Sequence, residues 1–310
     1  MKRKALVFFL LIFPGLFACG GGAVKMVPPH LTAGQEQITR GMPYYQKGCY
    51  KRALEYFLKA HELFTSSDQR EGIAMSLNNL GATYRGMEEP ESALILFREA
   101  HKIYTGIGNP AGARQALCNQ AAALIDLGDL AGAEKALDAA LKIRVEITGK
   151  SFIPLISNQG VLLTKKKEYA KAEEILKNAL AASDPENLSD VAVVNSALGN
   201  LMLEKGENRQ AINYFERARD ADRKAGFHKG IADDLRYIGE AYEKLREDRK
   251  AVENWQESVK IYALLGAEDE VDELMDQLRA AADRASVNID LTEFFVNHWL
   301  EGRMTEGLCD

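Results

Sequence analysis

The chain has 310 residues, of which 46% are apolar, 27% charged and 8% aromatic, so it can build a packed core and is not a disordered polymer. Lys plus Arg number 39 against 45 Asp plus Glu, a net charge of −6, which excludes the basic footprint of a nucleic-acid binder. Four cysteines are too few for a disulfide scaffold. The chain opens MKRKALVFFLLIFPGLFA: Lys2, Arg3 and Lys4, an unbroken apolar run over Ala5–Phe13, then Pro14-Gly15. A bilayer-spanning helix needs about 20 apolar residues, so residues 1–18 are predicted to be a secretory signal rather than a span.

The next residues, Leu16-Phe17-Ala18-Cys19, resemble the lipobox of bacterial lipoproteins, although Phe17 is bulkier than that family usually carries. The resemblance implies cleavage before Cys19 and its acylation, palmitate included. The glycine after the cysteine implies delivery to the periplasmic face of the outer membrane. A plain signal with Cys19 incidental is the alternative. Gly20-Gly21-Gly22 and Pro28-Pro29 predict a flexible tether over 19–33. The chain beyond the signal is acidic, so anionic lipid would repel it and the lipid chains must do the holding.

From residue 34 onward one pattern returns about every forty residues. Ala53-x3-Phe57-x2-Ala60 recurs as Ala93-x3-Phe97-x2-Ala100, Ala133-x3-Leu137-x2-Ala140, Ala172-x3-Leu176-x2-Ala179, Ala211-x3-Phe215-x2-Ala218 and Ala251-x3-Trp255-x2-Ser258. Upstream of each lies a second small residue: Gly41, Gly81, Ala121, Gly160, Gly199 or Gly239. In the second copy Leu77, Leu80, Gly81 and Tyr84 share one helical face.

This pattern resembles the tetratricopeptide repeat, with a longer period than that family usually has. The resemblance implies an all-α, right-handed α-solenoid superhelix of six helix pairs, over 34–73, 74–113, 114–152, 153–191, 192–231 and 232–266. The extra residues are expected between units, as in Thr65 to Gly72 and Thr105 to Gly112. A single pair cannot bury its apolar stripe alone, so stacking is obligatory. Capping helices are expected over 267–301, with Val271, Leu274, Met275 and Leu278 at helical spacing, and a frayed tail over 302–310. The aromatic stretch Leu291–Leu300 reads either as a cap or as a docking element for a second copy of the chain or a membrane.

The 100° advance per residue assigns positions 2, 5, 6, 9, 12 and 13 of each first helix to the concave surface. Asn78, Asn79, Asn119, Asn158 and Asn200 fall there, with Arg85, Met75, Ala82 and Cys118. Asn is a mediocre helix former, and its side chain offers both donor and acceptor. The row is therefore a candidate ladder for the backbone of an extended peptide, with Arg85 placed to pair a ligand carboxylate. Bonds between neighbouring repeats would also account for it.

No H-E-x-x-H, C-x-x-C or Gly-rich phosphate loop occurs. His61 and His101 hold equivalent repeat positions, and Glu88-Glu89, Asp233-Asp234 and Lys165-Lys166-Lys167 read as solvated turns or faces. A non-catalytic adaptor is expected, with no cofactor, no metal and no nucleic-acid partner. Its partner is a protein or peptide, its membrane contact is the lipid, and a homo-oligomer built through the C-terminal helix is the alternative. Cys49 and Cys118 lie two repeats apart, beyond the ~7 Å reach of a bridge. Any disulfide must involve Cys309 or another molecule, and Cys49, Cys118 and Cys309 are expected as free thiols.

Overall fold

The computed structural model describes residues 29–145, 152–302 and 308–309. The predicted signal, Cys19 and the tether up to residue 28 lie outside the described residues. The described residues form fourteen helices and no strand. Six pairs follow one another: α1 (Pro29–Lys47) with α2 (Tyr50–Ser66), α3 (Arg70–Gly86) with α4 (Pro90–Gly106), α5 (Pro110–Asp126) with α6 (Leu130–Lys142), α7 (Ile153–Lys165) with α8 (Tyr169–Ala182), α9 (Leu188–Lys205) with α10 (Asn208–Ala225), and α11 (His228–Lys244) with α12 (Asp248–Leu265). Two further helices close the array, α13 (Glu268–Ala285) and α14 (Asp290–Leu300). The architecture is the α-solenoid that the repeat pattern predicts. Its first helix begins at Pro29, inside the stretch read as tether.

The forty-residue period is spent differently from the expectation. Residues 65–72 and 105–112 are not an insertion between units. They extend the helices, so that α3 and α4 each run 17 residues and the turns 67–69, 87–89 and 107–109 keep only three. Pro90 and Pro110 open α4 and α5 at the position where a missing N–H costs nothing. Asn109 and Asp129 cap α5 and α6 by accepting from the amides of Gly112 and Gly132, each at 2.9 Å.

The core is a column of large residues from the second helices. Phe57, Phe97, Leu176, Phe215 and Trp255 are fully buried and Leu137 is 2% exposed. Each large side chain lies against the small residue of its own first helix. A Cβ on Gly81 would sit 2.7 Å from the Phe97 ring, and one on Gly239 would sit 2.3 Å from Trp255 Nε1. Glycine is required there by the bulk of the partner side chain. In the third pair Ala121 and Leu137 share one buried cluster, while in the fourth pair a Cβ on Gly160 would still lie 2.4 Å from Leu176. A second plug recurs at the end of the second helices, where Phe64 packs on Gly72 and Tyr104 on Gly112. In the fifth pair Asp222 takes that place against Gly230.

One expectation is overturned. Cys49, in the α1–α2 turn, is joined to Cys309, with Cα atoms 5.4 Å apart. The reading of free thiols treated the tail after α14 as frayed, whereas residues 308–309 return to the first pair. Cys118 is the free cysteine among the described residues, and it is buried.

Candidate functional site

The first helices pack on one another along the array, α1 on α3, α3 on α5, α5 on α7, α7 on α9 and α9 on α11, while the second helices pack chiefly on first helices. The closer row is the inside of the curve, so the first helices form the concave wall. On it Asn78, Asn79, Asn119, Asn158 and Asn200 are half-buried. Asn119 donates to Asn78 Oδ1 at 3.0 Å and accepts from Gln115 Nε2 at 3.0 Å. Asn158 donates to the Cys118 carbonyl of the preceding pair at 2.9 Å. Asn200 donates within its own helix to the Ser196 carbonyl at 3.0 Å. Asn79 enters none of these bonds. The structure thus links Asn78, Asn119 and the Cys118 backbone to Asn158 from repeat to repeat. Cys118 itself, assigned to the open face by helical rotation, is buried, as is Ser157 at the same position of α7. The next first helix covers that position.

Arg85 is exposed and forms a two-pronged bond to Asp126 of the next pair, Nε to Oδ2 at 2.6 Å and Nη2 to Oδ1 at 3.3 Å. Beside it the Tyr45 and Tyr50 rings are tilted at 5.5 Å. Tyr50 rests on Gly86, where a Cβ would lie 2.5 Å from its ring.

The array curls until its first pair meets its sixth. Gly48 has φ +88°, and a Cβ there would lie 2.6 Å from the Lys229 Cβ, so both conformation and space demand glycine. Lys229, with a side chain only 10% exposed, has its ammonium 2.8 Å from Asp233, 3.2 Å from Glu270 and 3.9 Å from Glu88. The ammonium also stands 5.0 Å from the centre of the Tyr262 ring. Burial works against its charge, but Asp233 and Glu270 prevail and hold its pKa above the usual lysine value. Burial together with Asp233 drives the Tyr262 phenol far up, and its hydroxyl donates to Asp233 Oδ1 at 2.5 Å. Three carboxylates thus surround one ammonium, and Arg236 lies near enough to act on Glu88 as well. Repeat spacing carries no signal for this cluster, because the pattern reports each pair and its neighbour, not contact between the first pair and the sixth.

His61 Nδ1 lies 2.9 Å from Ser76 Oγ, a bond within the first two pairs. Among the described residues no group of three His, Cys, Asp or Glu side chains converges as a metal would require. Nor is any described helix long and apolar enough to cross a membrane.

Comparison with known proteins agrees with this fold. Tetratricopeptide-repeat profiles match residues 37–106 and 151–224, and a second profile of the same repeat matches 115–144. Together they take in more than half of the chain. The chain belongs to the tetratricopeptide-repeat family. This repeat is a protein-interaction scaffold, and no enzyme family is indicated. Solved tetratricopeptide-type structures share its fold. A Rap protein complexed with competence and sporulation factor superposes with a TM-score of 0.58 at 15% identity, over 83% of this chain and 76% of that one. The Rap conjugation regulator of plasmid pLS20, in complex with the Phr* peptide, gives 0.56 at 18% identity, over 94% and 82%. At these identities the likeness is one of fold. No curated protein sequence matches this tetratricopeptide chain significantly.

Proposed function

We propose that this chain is a non-catalytic adaptor of the bacterial envelope, held by lipid on Cys19 and gathering a protein or extended peptide on its concave wall. The observation that carries the reading is the amide row. Asn119 donates to Asn78, and Asn158 donates to the Cys118 carbonyl next to Asn119, so the row is tied from pair to pair on the inner face while staying half-open to solvent. An extended backbone needs alternating donors and acceptors, and asparagine supplies both. Asn79 lies on the same strip, and Arg85 marks one rim, where a ligand carboxylate would compete with Asp126. Two Rap structures of the same fold are complexes, one with competence and sporulation factor and one with the Phr* peptide, which supports a protein or peptide ligand. The envelope placement rests on the sequence of residues 1–19, read as a lipoprotein leader directed to the periplasmic face of the outer membrane.

The test is photo-crosslinking from the inner wall in native membranes, comparing the wild type with Asn79→Ala plus Asn119→Ala. A specific adduct that disappears in the double variant, with helicity intact, supports the groove; an unchanged adduct removes it. Palmitate labelling abolished by Cys19→Ala supports the anchor, and labelling that survives overturns it.

A second reading has its own observation. On α14, Leu291 is 68% and Phe294 61% exposed; Phe294 stacks on His298, Phe295 stacks on Trp299, and the two phenylalanines meet edge to face. Such a face suits self-assembly, and a concentration-dependent dimer lost on Phe294→Ser would favour it.

A further inference from the structure

We infer that the Cys49–Cys309 bridge is a redox clasp on the concave channel. Oxidised, it holds the first pair against the sixth, so that a ligand must enter along the axis. Reduced, it frees the first pair to swing away, so that a larger partner can be laid in from the side. The inference rests on the concave wall being the ligand site, and it concerns how that site is reached.

The placement of the bridge carries the argument. Cys49 follows Gly48, the residue that meets Lys229 of the sixth pair, and Cys309 belongs to the chain beyond α14, which packs on α12. The covalent link therefore spans the same seam as the non-covalent contact. That contact is thin. On the first pair's side stand Gly48 on Lys229, Cys49 Sγ at 3.9 Å from the Leu308 carbonyl, and Lys51 at 3.7 Å from Glu268 of α13 with both side chains largely exposed; the second pair adds Glu88, 3.9 Å from Lys229. Exposed ion pairs add little. In a solenoid each unit leans only on its neighbours, and the first pair has one neighbour, so the bridge is its main tie to the far end.

The chemistry is ordinary thiol–disulfide exchange. Cys49 is 1% exposed and Cys309 is half-exposed, so the thiolate of a dithiol reductant attacks Cys309 Sγ. The S–S bond breaks and its electron pair leaves on Cys49 Sγ, which takes up a proton. The second thiol of the reductant then displaces Cys309 from the mixed disulfide. The protein gains two electrons and two protons as two thiols, and the reductant leaves as its disulfide. Cys118, fully buried, stands outside the exchange.

The full chain is compared in detergent as purified, after dithiothreitol, and as Cys309→Ser, with no ligand present, so the outcome does not depend on whether the Asn79 and Asn119 test succeeds. Hydrogen exchange at residues 48–50 and 228–230 is expected to accelerate about tenfold on reduction and in the variant, with α5–α10 unchanged. Access is read by placing a thiol on the wall with Asn119→Cys and labelling it with a small maleimide and with a polyethylene-glycol maleimide. Removal of the bridge by Cys49→Ser plus Cys309→Ser should speed only the bulky label, again about tenfold. Equal exchange in all three states, an unchanged ratio of the two labelling rates, or peptide mapping that finds Cys49 and Cys309 unlinked in the unreduced chain would overturn the clasp.

Discussion

Asn119 lends its side-chain amide to Asn78 across the boundary between the second and third pairs, at 3.0 Å. The contact gives the inner wall a register mark that apolar packing alone does not supply, since aliphatic surfaces slide more easily than paired amides. It also separates two roles that one row of asparagines could combine.

The separation can be measured. Asn119→Ala removes a half-buried bond and leaves Asn78 short of a donor, and it should cost about 0.5–1.5 kcal/mol in chemical denaturation. Asn79, outside the cross-repeat bonds, should cost under about 0.5 kcal/mol as Asn79→Ala, in the range of a surface change. Equal losses at the two positions would show that the bonding line is not what holds the register.

Gly81→Ala should destabilise the chain by roughly 1–3 kcal/mol, because the new methyl lands on the Phe97 ring, which is fully buried. The third pair supplies the comparison, since it carries Ala121 and Leu137 at the equivalent positions in one buried cluster. Gly81→Ala combined with Phe97→Leu should therefore regain most of the loss in thermal melts. A double variant no better than the single one would mean that close backbone approach, not side-chain volume, sets the residue.

Asp222 and Asp234 are 5% and 2% exposed, and burial raises their carboxyl pKa values to about 7 and about 9. Asp233 adds to the shift at Asp222; Asp222 and Asp233 add to it at Asp234, where the Ser196 hydroxyl and Arg219 oppose it. Ser196 donates to Asp234 Oδ1 at 2.9 Å, and Oδ2 is buried without a partner. The folded state thus holds protons that the unfolded chain releases near pH 4. The stabilisation is complete at acid pH and is lost as the pH climbs through about 7 and about 9. Asp234→Asn keeps an acceptor for Ser196 without the charge. It should exceed the wild type in stability by roughly 1–3 kcal/mol at alkaline pH and match it in acid. A constant difference across the titration would show that neither carboxyl is held protonated.

Cys118 is fully buried, and burial pushes its thiol up to about 12. Since the thiolate is the reactive form, the folded chain should leave Cys118 unmodified by iodoacetamide at mildly alkaline pH, and denaturant should expose it at once. Rapid modification in the folded state would place this thiol at the open face.

Much of this was legible in the residues. The spacing of Ala53, Phe57 and their successors located the pairs, because each repeat buries its own stripe against its neighbour and that constraint is written into every copy. Leu274 and Leu278 marked the closing helix in the same way. The length of the turns was misjudged, since Thr65 to Gly72 contains polar residues that suit a helix surface as well as a loop. The closure escaped altogether. Lys229 facing Asp233, Glu270 and Glu88 is a relation between the two ends of a curve, and curvature accumulates from small angles that no single repeat displays. The inner wall was half legible: rotation placed Asn78 and Asn119 correctly on one strip, but could not show that each would find the other.

Cys309 follows every described helix, so synthesis delivers it after all of them. The partner it needs, Cys49, has by then emerged long before and must wait unpaired while six hairpins stack. The bridge can form only after all fourteen described helices have been made, and its presence in a purified sample records that the first of them and the residues beyond the last were brought together.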